Sequence, residues 1–190
     1  MKLSKIVPLV LLGALILVVA GCGGASSESG SSPGAEFDRA FIDAMVPHHE
    51  SAIAMAKAAK EAGLDQPDLV AVADAILATQ QVEIGQMKDW RGEWFGSSTI
   101  DPAGADALGL DEHAMGMTGD AEALMNSTDV NTDFAQMMIT HHQGAIEMAK
   151  LAEGKAQHQE LKELAQEIIK AQEREIGVMQ PHASGSMNHG

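Results

Sequence analysis

The sequence is short of several residue types that define other classes of protein. Among 190 residues it has one cysteine, no tyrosine, four phenylalanines and two tryptophans. A single thiol has no partner within the chain, so an intramolecular disulfide framework is excluded. No stretch shows a strand pattern, and nothing resembles a nucleophile triad, a phosphate-binding loop or a cysteine zinc knuckle.

Basic residues are also scarce. The chain has 12 Lys and Arg against 27 Asp and Glu, a formal net charge of −15. So negative a balance argues against nucleic acid as a partner and against direct electrostatic attraction to anionic lipid. Methionine, by contrast, is abundant with 12 residues, and there are 8 histidines. Ala, Met, Leu, Glu, Gln and Lys dominate, which indicates helices.

A long apolar run occurs only at the beginning of the chain. Two lysines precede it, it covers residues 6–20, and Gly21 separates it from Cys22. This pattern predicts a signal peptide over residues 1–21, because the run is too short for a confident membrane span. The ending resembles a bacterial lipobox, so we expect Cys22 to be lipidated, with residues 22–34 as a flexible tether. The alternative is cleavage nearby with an incidental cysteine.

A methionine and histidine block occurs twice. Residues 41–57 and 134–150 are identical at 9 of 17 positions, and both contain Met-x-x-His-His. The segments 73–87 and 165–179 also match, at an offset of 92, in Ala, Ile, Gln, Glu, Gly and Met positions. A whole helical hairpin is therefore duplicated.

Apolar periodicity predicts four helices, over residues 35–62, 67–94, 132–154 and 158–180. Gly63 is expected to cap the first helix, and Pro47 to kink or restart it. Asn131 or Thr132 is expected to cap the third helix, which ends at Gly154. Pro181 ends the fourth.

Two hairpins with apolar stripes bury those stripes most simply against each other. The predicted fold is therefore all-α, a four-helix bundle over residues 35–182 with a long crossover loop between the hairpins. Residues 95–130 form that loop, with a short helix near 120–125. Residues 183–190 are predicted to be a disordered tail.

The repeated block has the donor atoms of a metal site. Met45, His48 and His49 lie on adjacent turns of a helix, and the second copy repeats the arrangement in Met138, His141 and His142. Imidazole suits Zn, Cu, Fe and Ni, whereas thioether selects Cu(I) among them. We therefore expect at least one histidine of each pair to bind copper.

Two other interpretations of these residues remain open. Methionines at helical spacing often fill a core, and Met55, Met87, Met148 and Met179 fit that role. The histidines could instead be hydrogen-bonded to polar residues on the other helices, namely Gln80, Glu83, Gln172 and Glu175. A di-iron bundle would need Glu-x-x-His, but Met45 and Met138 occupy the glutamate position.

Two further groups alternate histidine or methionine with other residues. One is His113, Met115 and Met117 in the crossover loop, and the other is Met187 and His189 in the tail. In an extended chain, residues two apart fall on one side. Both groups are therefore expected to be exposed capture sites for Cu(I).

The two blocks, written Phe-x-x-x-Met-x-x-His-His-x-x-Ala-Ile-x-Met-Ala, resemble the ferritin-like family catalogued as a domain of unknown function (number 305). The resemblance covers residues 36–182 and implies a secreted or lipid-anchored bacterial four-helix protein. It also implies copper binding through methionine and histidine, with no established catalytic activity. Carried over by position, it picks out Met45, His48, His49, Met55, Met138, His141, His142 and Met148.

The leading hypothesis is a lipid-anchored protein on the extracytoplasmic face of the cell membrane that sequesters Cu(I) or exchanges it with a donor or acceptor protein. We expect it not to be an enzyme. The alternatives are a metal-free structural or interaction module and an oxidoreductase with a dinuclear metal site.

Overall fold

The computed structural model describes residues 32–117 and 121–184, which contain six helices. The four long ones are α1 (Pro33–Glu61), α2 (Pro67–Phe95), α5 (Val130–Lys155) and α6 (Gln159–Met179). Two short helices, α3 (Gly104–Leu108) and α4 (Ala121–Met125), lie between α2 and α5. Across the described ranges there is no strand, and no helix is long and apolar enough to cross a bilayer. The predicted signal peptide, Cys22, the tether up to residue 31, Met187 and His189 lie outside those ranges.

The four long helices pack as a bundle. Helix α1 packs against α2 and α5, and α6 packs against α5 and α2. The Asp38 carboxylate near the start of α1 accepts hydrogen bonds from the backbone N–H groups of Gln157 and His158, beyond the end of α5, both at 2.9 Å. Its counterpart Asn131, at the start of α5, accepts one from the backbone of Asp65. Helices α1 and α5 are therefore antiparallel, and the predicted all-α four-helix bundle is confirmed.

The core is rich in methionine. Six methionines are at most 1% exposed, and they form three pairs related by the sequence repeat: Met45 with Met138, Met55 with Met148, and Met87 with Met179. They belong to one cluster with the large apolar side chains, including Phe41 and Phe134. Burying a methionine side chain contributes about 1.5–3 kcal/mol to folding. These six methionines therefore stabilise the core by their burial, whether or not their sulfur atoms also bind a metal.

Several predicted helix ends are correct and several are wrong. Gly63, with φ of 101°, follows the end of α1, and α6 ends two residues before Pro181. Helix α1 continues through Pro47, so it does not restart there, and a kink at this proline stays a prediction. The cap of α5 is Asp129, whose side chain accepts from the Thr132 N–H, since Asn131 bonds to the α1–α2 turn instead.

One further expectation about the second hairpin is wrong. Gly154 does not end α5, because the backbone stays helical until Ala156 becomes extended. His182, the last residue of the predicted bundle, is buried, and its Nε2–H donates to the Asp68 carboxylate at 2.7 Å. That bond ties the chain after α6 to the first turn of α2.

The crossover between α2 and α5 is folded onto the bundle. Both short helices pack against α1, and α3 was not predicted because its glycine suggested a turn. A Cβ at Gly104 would lie 2.5 Å from the backbone of Asp43, so only glycine allows this approach. The buried Asp43 carboxylate forms an ion pair with Arg91 at 3.0 Å and accepts from the backbone N–H of Asp101 at 3.1 Å. These contacts hold the crossover over the middle of α1.

Candidate metal centre

The two histidine pairs meet in the middle of the bundle. His48 and His49 lie on α1, His141 and His142 lie on α5, and each is at most 1% exposed. Successive residues of a helix point about 100° apart, so the members of a pair face different neighbours. Because α1 and α5 run antiparallel, the two blocks come together with their equivalent residues facing each other.

His48 and His141 are in direct contact. Their ring centroids are 3.8 Å apart and the ring planes are inclined by 37°. The Nε2–H of His48 donates to the backbone carbonyl of Met115 in the crossover at 2.8 Å, which leaves Nδ1 with its lone pair. Within the described part of the chain, His48 Nδ1 and both ring nitrogens of His141 have no hydrogen-bond partner. The two rings therefore have buried nitrogen lone pairs that accept no hydrogen bond from the described residues.

Both of these histidines are held in the neutral form. Burial, followed by repulsion from His49, lowers the pKa of His48 from 6.5 to about 3, although the Met115 carbonyl opposes this. Burial, followed by repulsion from His48, holds the pKa of His141 well below its ordinary value. Neutral imidazole is the form that binds metal ions.

The other two histidines face the outer helices. His49 Nε2–H donates to Glu83 on α2, and His142 Nε2–H donates to Glu175 on α6, both at 2.7 Å. Neither Nδ1 has a partner among the described residues. A carboxylate that fixes the orientation of an imidazole while its other nitrogen stays free is the usual support of a metal-binding histidine. The sequence-based alternative of hydrogen bonding is thus correct for the two glutamates.

Gln80 and Gln172 behave differently from the glutamates. Both are buried, and their side-chain oxygens have no hydrogen-bond partner in the described ranges. They lie one turn before Glu83 and Glu175 on the same helices. Gln80 and Gln172 therefore contribute two more buried acceptors near the histidines.

The predicted thioether donors lie in the same core. Met45 and Met138 each precede the first histidine of their block by three residues, and both are fully buried. Met55 and Met148 lie about two turns beyond the histidines and are also buried. The eight histidines and methionines that the family resemblance picks out are therefore all in the interior.

The crossover residues are not the exposed, extended capture site that was predicted. His113 is exposed, but Met115 is buried and Met117 is half-buried. The segment forms turns, in which the N–H of Met115 bonds to the Asp111 carbonyl and that of Met117 to the Glu112 carbonyl.

The backbone of the crossover packs directly on α5, and this contact favours turns over an extended chain. A Cβ at Gly144 would lie 1.9 Å from the Met115 carbonyl oxygen. A Cβ at Gly116, which has φ of 69°, would lie 2.2 Å from the carbonyl oxygen of Thr140. The first block has Ser51 in place of Gly144, and this difference between the repeats was the one signal of the contact in the sequence.

The donor set fits a soft cation better than a hard one. Among the described residues, no group of three or more His, Cys, Asp or Glu side chains is arranged to hold a metal ion. Within the described ranges, neither a carboxylate-rich di-iron site nor a site made of three or more of the histidines is therefore preformed. Buried imidazole nitrogens without partners, with thioethers in the same core, fit a soft ion such as Cu(I).

Comparison with known proteins places the chain in context. Residues 38–183 match the family described as "Domain of unknown function (DUF305)". No curated protein matches the chain. Among solved structures, CopM in its Cu(II)-bound form is similar, with 31% identity, a TM-score of 0.67, and coverage of 78% of this chain and 96% of that one.

Two other solved structures are similar to the chain. CopM in an Ag-bound form has 29% identity and a TM-score of 0.66, and covers 80% of this chain and 98% of its own. A DUF305 protein from Streptomyces coelicolor has 25% identity and a TM-score of 0.68, with coverage of 77% and 91%.

Proposed function

The chain belongs to the DUF305 family, and from that premise we propose that it binds Cu(I) in the middle of its bundle and sequesters it or passes it on. The observation that carries the proposal is the contact between His48 and His141, whose buried ring nitrogens lack partners. A buried polar atom left without a hydrogen bond costs about 1–3 kcal/mol. A bound cation would satisfy the ring nitrogens that carry a lone pair.

The choice of copper rests on two further arguments. The thioethers of Met45 and Met138, one turn from the histidines, are soft donors that favour Cu(I) over harder divalent ions. CopM, which is 30% identical to this chain, has a solved structure in a Cu(I)-bound form, and others contain Cu(II) or Ag. A relative of the same fold thus holds ions of this class.

We assign the residues different parts in binding. His48 and His141 would supply ring nitrogens at the centre, and His49 and His142 would supply Nδ1. Glu83 and Glu175 would orient the latter two through their Nε2–H groups. The thioether donors would come from Met45, Met55, Met138 and Met148.

An anaerobic titration with Cu(I) against a competing chelator tests the proposal. Replacing His48, His49, His141 and His142 with alanine should weaken binding by at least about 100-fold, since removing even a supporting residue of a metal site costs 10–100-fold. His113→Ala, which removes an exposed histidine, is the control and should leave the affinity unchanged. Unchanged affinity in the fourfold variant would contradict the proposal, provided that circular dichroism shows the helices intact.

The proposed location is the extracytoplasmic face of the cell membrane, with Cys22 as a lipid anchor. The support is the N-terminal sequence, a cationic start and a short apolar run before Cys22. Mass spectrometry of the N-terminal peptide from the native membrane should find acylated Cys22, and Cys22→Ser should release the protein from the membrane fraction. A mature N-terminus elsewhere would contradict the anchor.

We propose a binding role and not a catalytic one. The rival functions make different predictions. A metal-free module would show no thermal shift with Cu(I), whereas a ligand that binds the native state raises the midpoint of unfolding. An oxidoreductase with a dinuclear site would consume dioxygen with Fe(II) or Cu(I), and we expect no such consumption.

A further inference from the structure

A cleft opens between α1 and the crossover, beside the histidine contact. We call it the crossover cleft; its volume is about 430 Å³, and the lining residues that matter here are His48, Asp106, Asp111, Glu112, Met115 and Met117. It lies on the side of His48 that faces the crossover, whose carbonyl at Met115 accepts the His48 Nε2–H. The cleft is therefore bounded by the segment to which this histidine is hydrogen-bonded.

The outer part of the cleft is acidic. Asp106, Asp111 and Glu112 are exposed, and none of the described residues that line the cleft is a lysine or an arginine. A fourth carboxylate, Asp43, also lines it, but its charge is balanced by the ion pair with Arg91. Clefts lined by charge of one sign concentrate ions of the opposite sign and raise their association rates.

The inner part of the cleft has soft and neutral donors. Met117 is half-buried, Met115 is buried, and His48 is only 1% exposed. His48 lines the cleft, and its Nδ1, which has no hydrogen-bond partner in the described ranges, is available to a ligand. From solvent inwards, the donors thus change from carboxylates to thioethers to imidazole.

We propose that the crossover cleft is the path by which a soft monovalent cation reaches the His48–His141 pair. The carboxylates attract the hydrated ion, the thioethers of Met117 and Met115 replace its water, and the imidazoles receive it. This inference rests on the proposed Cu(I) binding. What is new is the path of the ion from solvent to the histidines, together with the role of the acidic residues in raising the rate at which the ion binds.

Stopped-flow mixing of the full chain with free Ag⁺, which does not change oxidation state, tests the route. The cleft variant combines Asp106→Asn, Asp111→Asn and Glu112→Gln. Asparagine at 111 keeps the side-chain oxygen that accepts from the Ala114 N–H. At low ionic strength the association rate constant should fall about tenfold, the lower end of the effect of a charged cleft. At about 0.15 M salt the difference from wild type should shrink, since exposed charges are screened.

The matched control removes three equally exposed carboxylates from α5 and α6, through Glu153→Gln, Glu167→Gln and Glu173→Gln. It has the same net charge as the cleft variant, so it should load at close to the wild-type rate. Equal rates in the two triple variants would overturn the route while leaving the copper site intact. Failure of the wild type to bind Ag⁺ at equilibrium would overturn both the route and the proposed function.

A second variant tests the thioether step. Met117→Leu keeps the size and apolar character of a half-buried side chain but removes the sulfur. The proposal expects slower loading at both low and high ionic strength, because the effect is not electrostatic. A loading rate equal to that of wild type would overturn the role of Met117.

Discussion

Adjacent histidines of one block have different surroundings, although their sequence positions differ by one. His49 and His142 are each fixed by a glutamate, whereas His48 bonds to a backbone carbonyl and His141 to nothing in the described ranges. From the sequence, Glu83 and Glu175 were among the partners expected for the histidines if these were hydrogen-bonded. The bond of His48 to the Met115 carbonyl was not predicted, because that carbonyl belongs to the crossover, far away along the chain.

The neutral histidines should make the stability of the metal-free protein depend on pH. The pKa of His48 and that of His141 are lower in the folded than in the unfolded chain, so the unfolded chain binds more protons below about pH 6.5. The free energy of unfolding should therefore fall as the pH decreases from 7.5 to 5. The slope approaches about 1.4 kcal/mol per pH unit for each histidine.

Urea denaturation at several pH values measures this slope. The double variant His48→Gln, His141→Gln should lose most of it, because glutamine does not titrate. His113→Gln, at an exposed position, should keep it. A slope that survives in the double variant would mean that groups other than His48 and His141 cause the pH dependence.

The two glutamates should support binding more than folding. Glu83→Gln and Glu175→Gln keep an oxygen that accepts the histidine N–H but remove its charge, which makes the imidazole a weaker donor to a metal. Each change should weaken Cu(I) binding by about 10–100-fold while unfolding changes little. Chelator competition measures the effect, and Glu173→Gln on the exposed face of α6 is the control. Equal affinities of all three variants would argue against the supporting role.

At the scale of single elements, the crossover and α5 are joined through backbone contacts. The periodicity of apolar residues gave all four long helices, because each buries a stripe of its own. The position of the crossover could not be obtained in this way. It depends on Gly104, Gly116 and Gly144, each of which permits another backbone to approach closely, and a glycine in a sequence is usually read as a turn or a helix end.

Gly144 offers a direct test of that contact. Alanine there would place its Cβ 1.9 Å from the Met115 carbonyl oxygen, so the crossover would have to move. Gly144→Ala should therefore destabilise the protein by about 1–3 kcal/mol, the usual cost of overpacking. Proteolysis within residues 104–117 should also become faster.

Gly154→Ala on the same helix is the matched control. A Cβ there meets no atom within 4 Å, so alanine should stabilise α5 by about 0.5–1 kcal/mol. Denaturation in urea measures both changes. If the two variants shifted stability in the same direction, the close approach of the crossover to α5 would not exist in solution.

At the scale of the whole molecule, the two hairpins contact each other through equivalent residues of the repeat, His48 and His141. The repeat in the sequence predicted two similar hairpins and hence the bundle. It did not predict how their ends are joined, because Asp38 and its counterpart Asn131 differ chemically. Asp38 holds the start of α6, and Asn131 holds the start of α2.

The contacts of Asp38 with the start of α6 should contribute more to stability than those of Asn131 with the start of α2. The Asp38 carboxylate is fully buried, and besides two backbone bonds it accepts one from His158 Nδ1–H at 2.6 Å. That histidine stacks on Trp94 with ring centroids 3.7 Å apart. Asn131 is half-buried and accepts two longer bonds of 3.2 Å from the backbone of the α1–α2 turn. Hydrogen bonds that involve a charged group contribute about 1.5–3 kcal/mol, against about 0.5–1.5 kcal/mol for neutral ones.

Asp38→Ala is therefore expected to lower the free energy of unfolding by about 2–4 kcal/mol, because it leaves buried donors without an acceptor. Asn131→Ala is expected to lower it by about 1 kcal/mol. Urea denaturation gives both values, and tryptophan fluorescence should change in the first variant alone, since only His158 packs on a tryptophan. Equal losses of unfolding free energy in the two variants would show that the contacts of Asp38 and Asn131 are equivalent, as the repeat in the sequence would suggest. A larger loss at Asp38 would show that its contacts do more to hold the two hairpins together, and with them the histidine pairs.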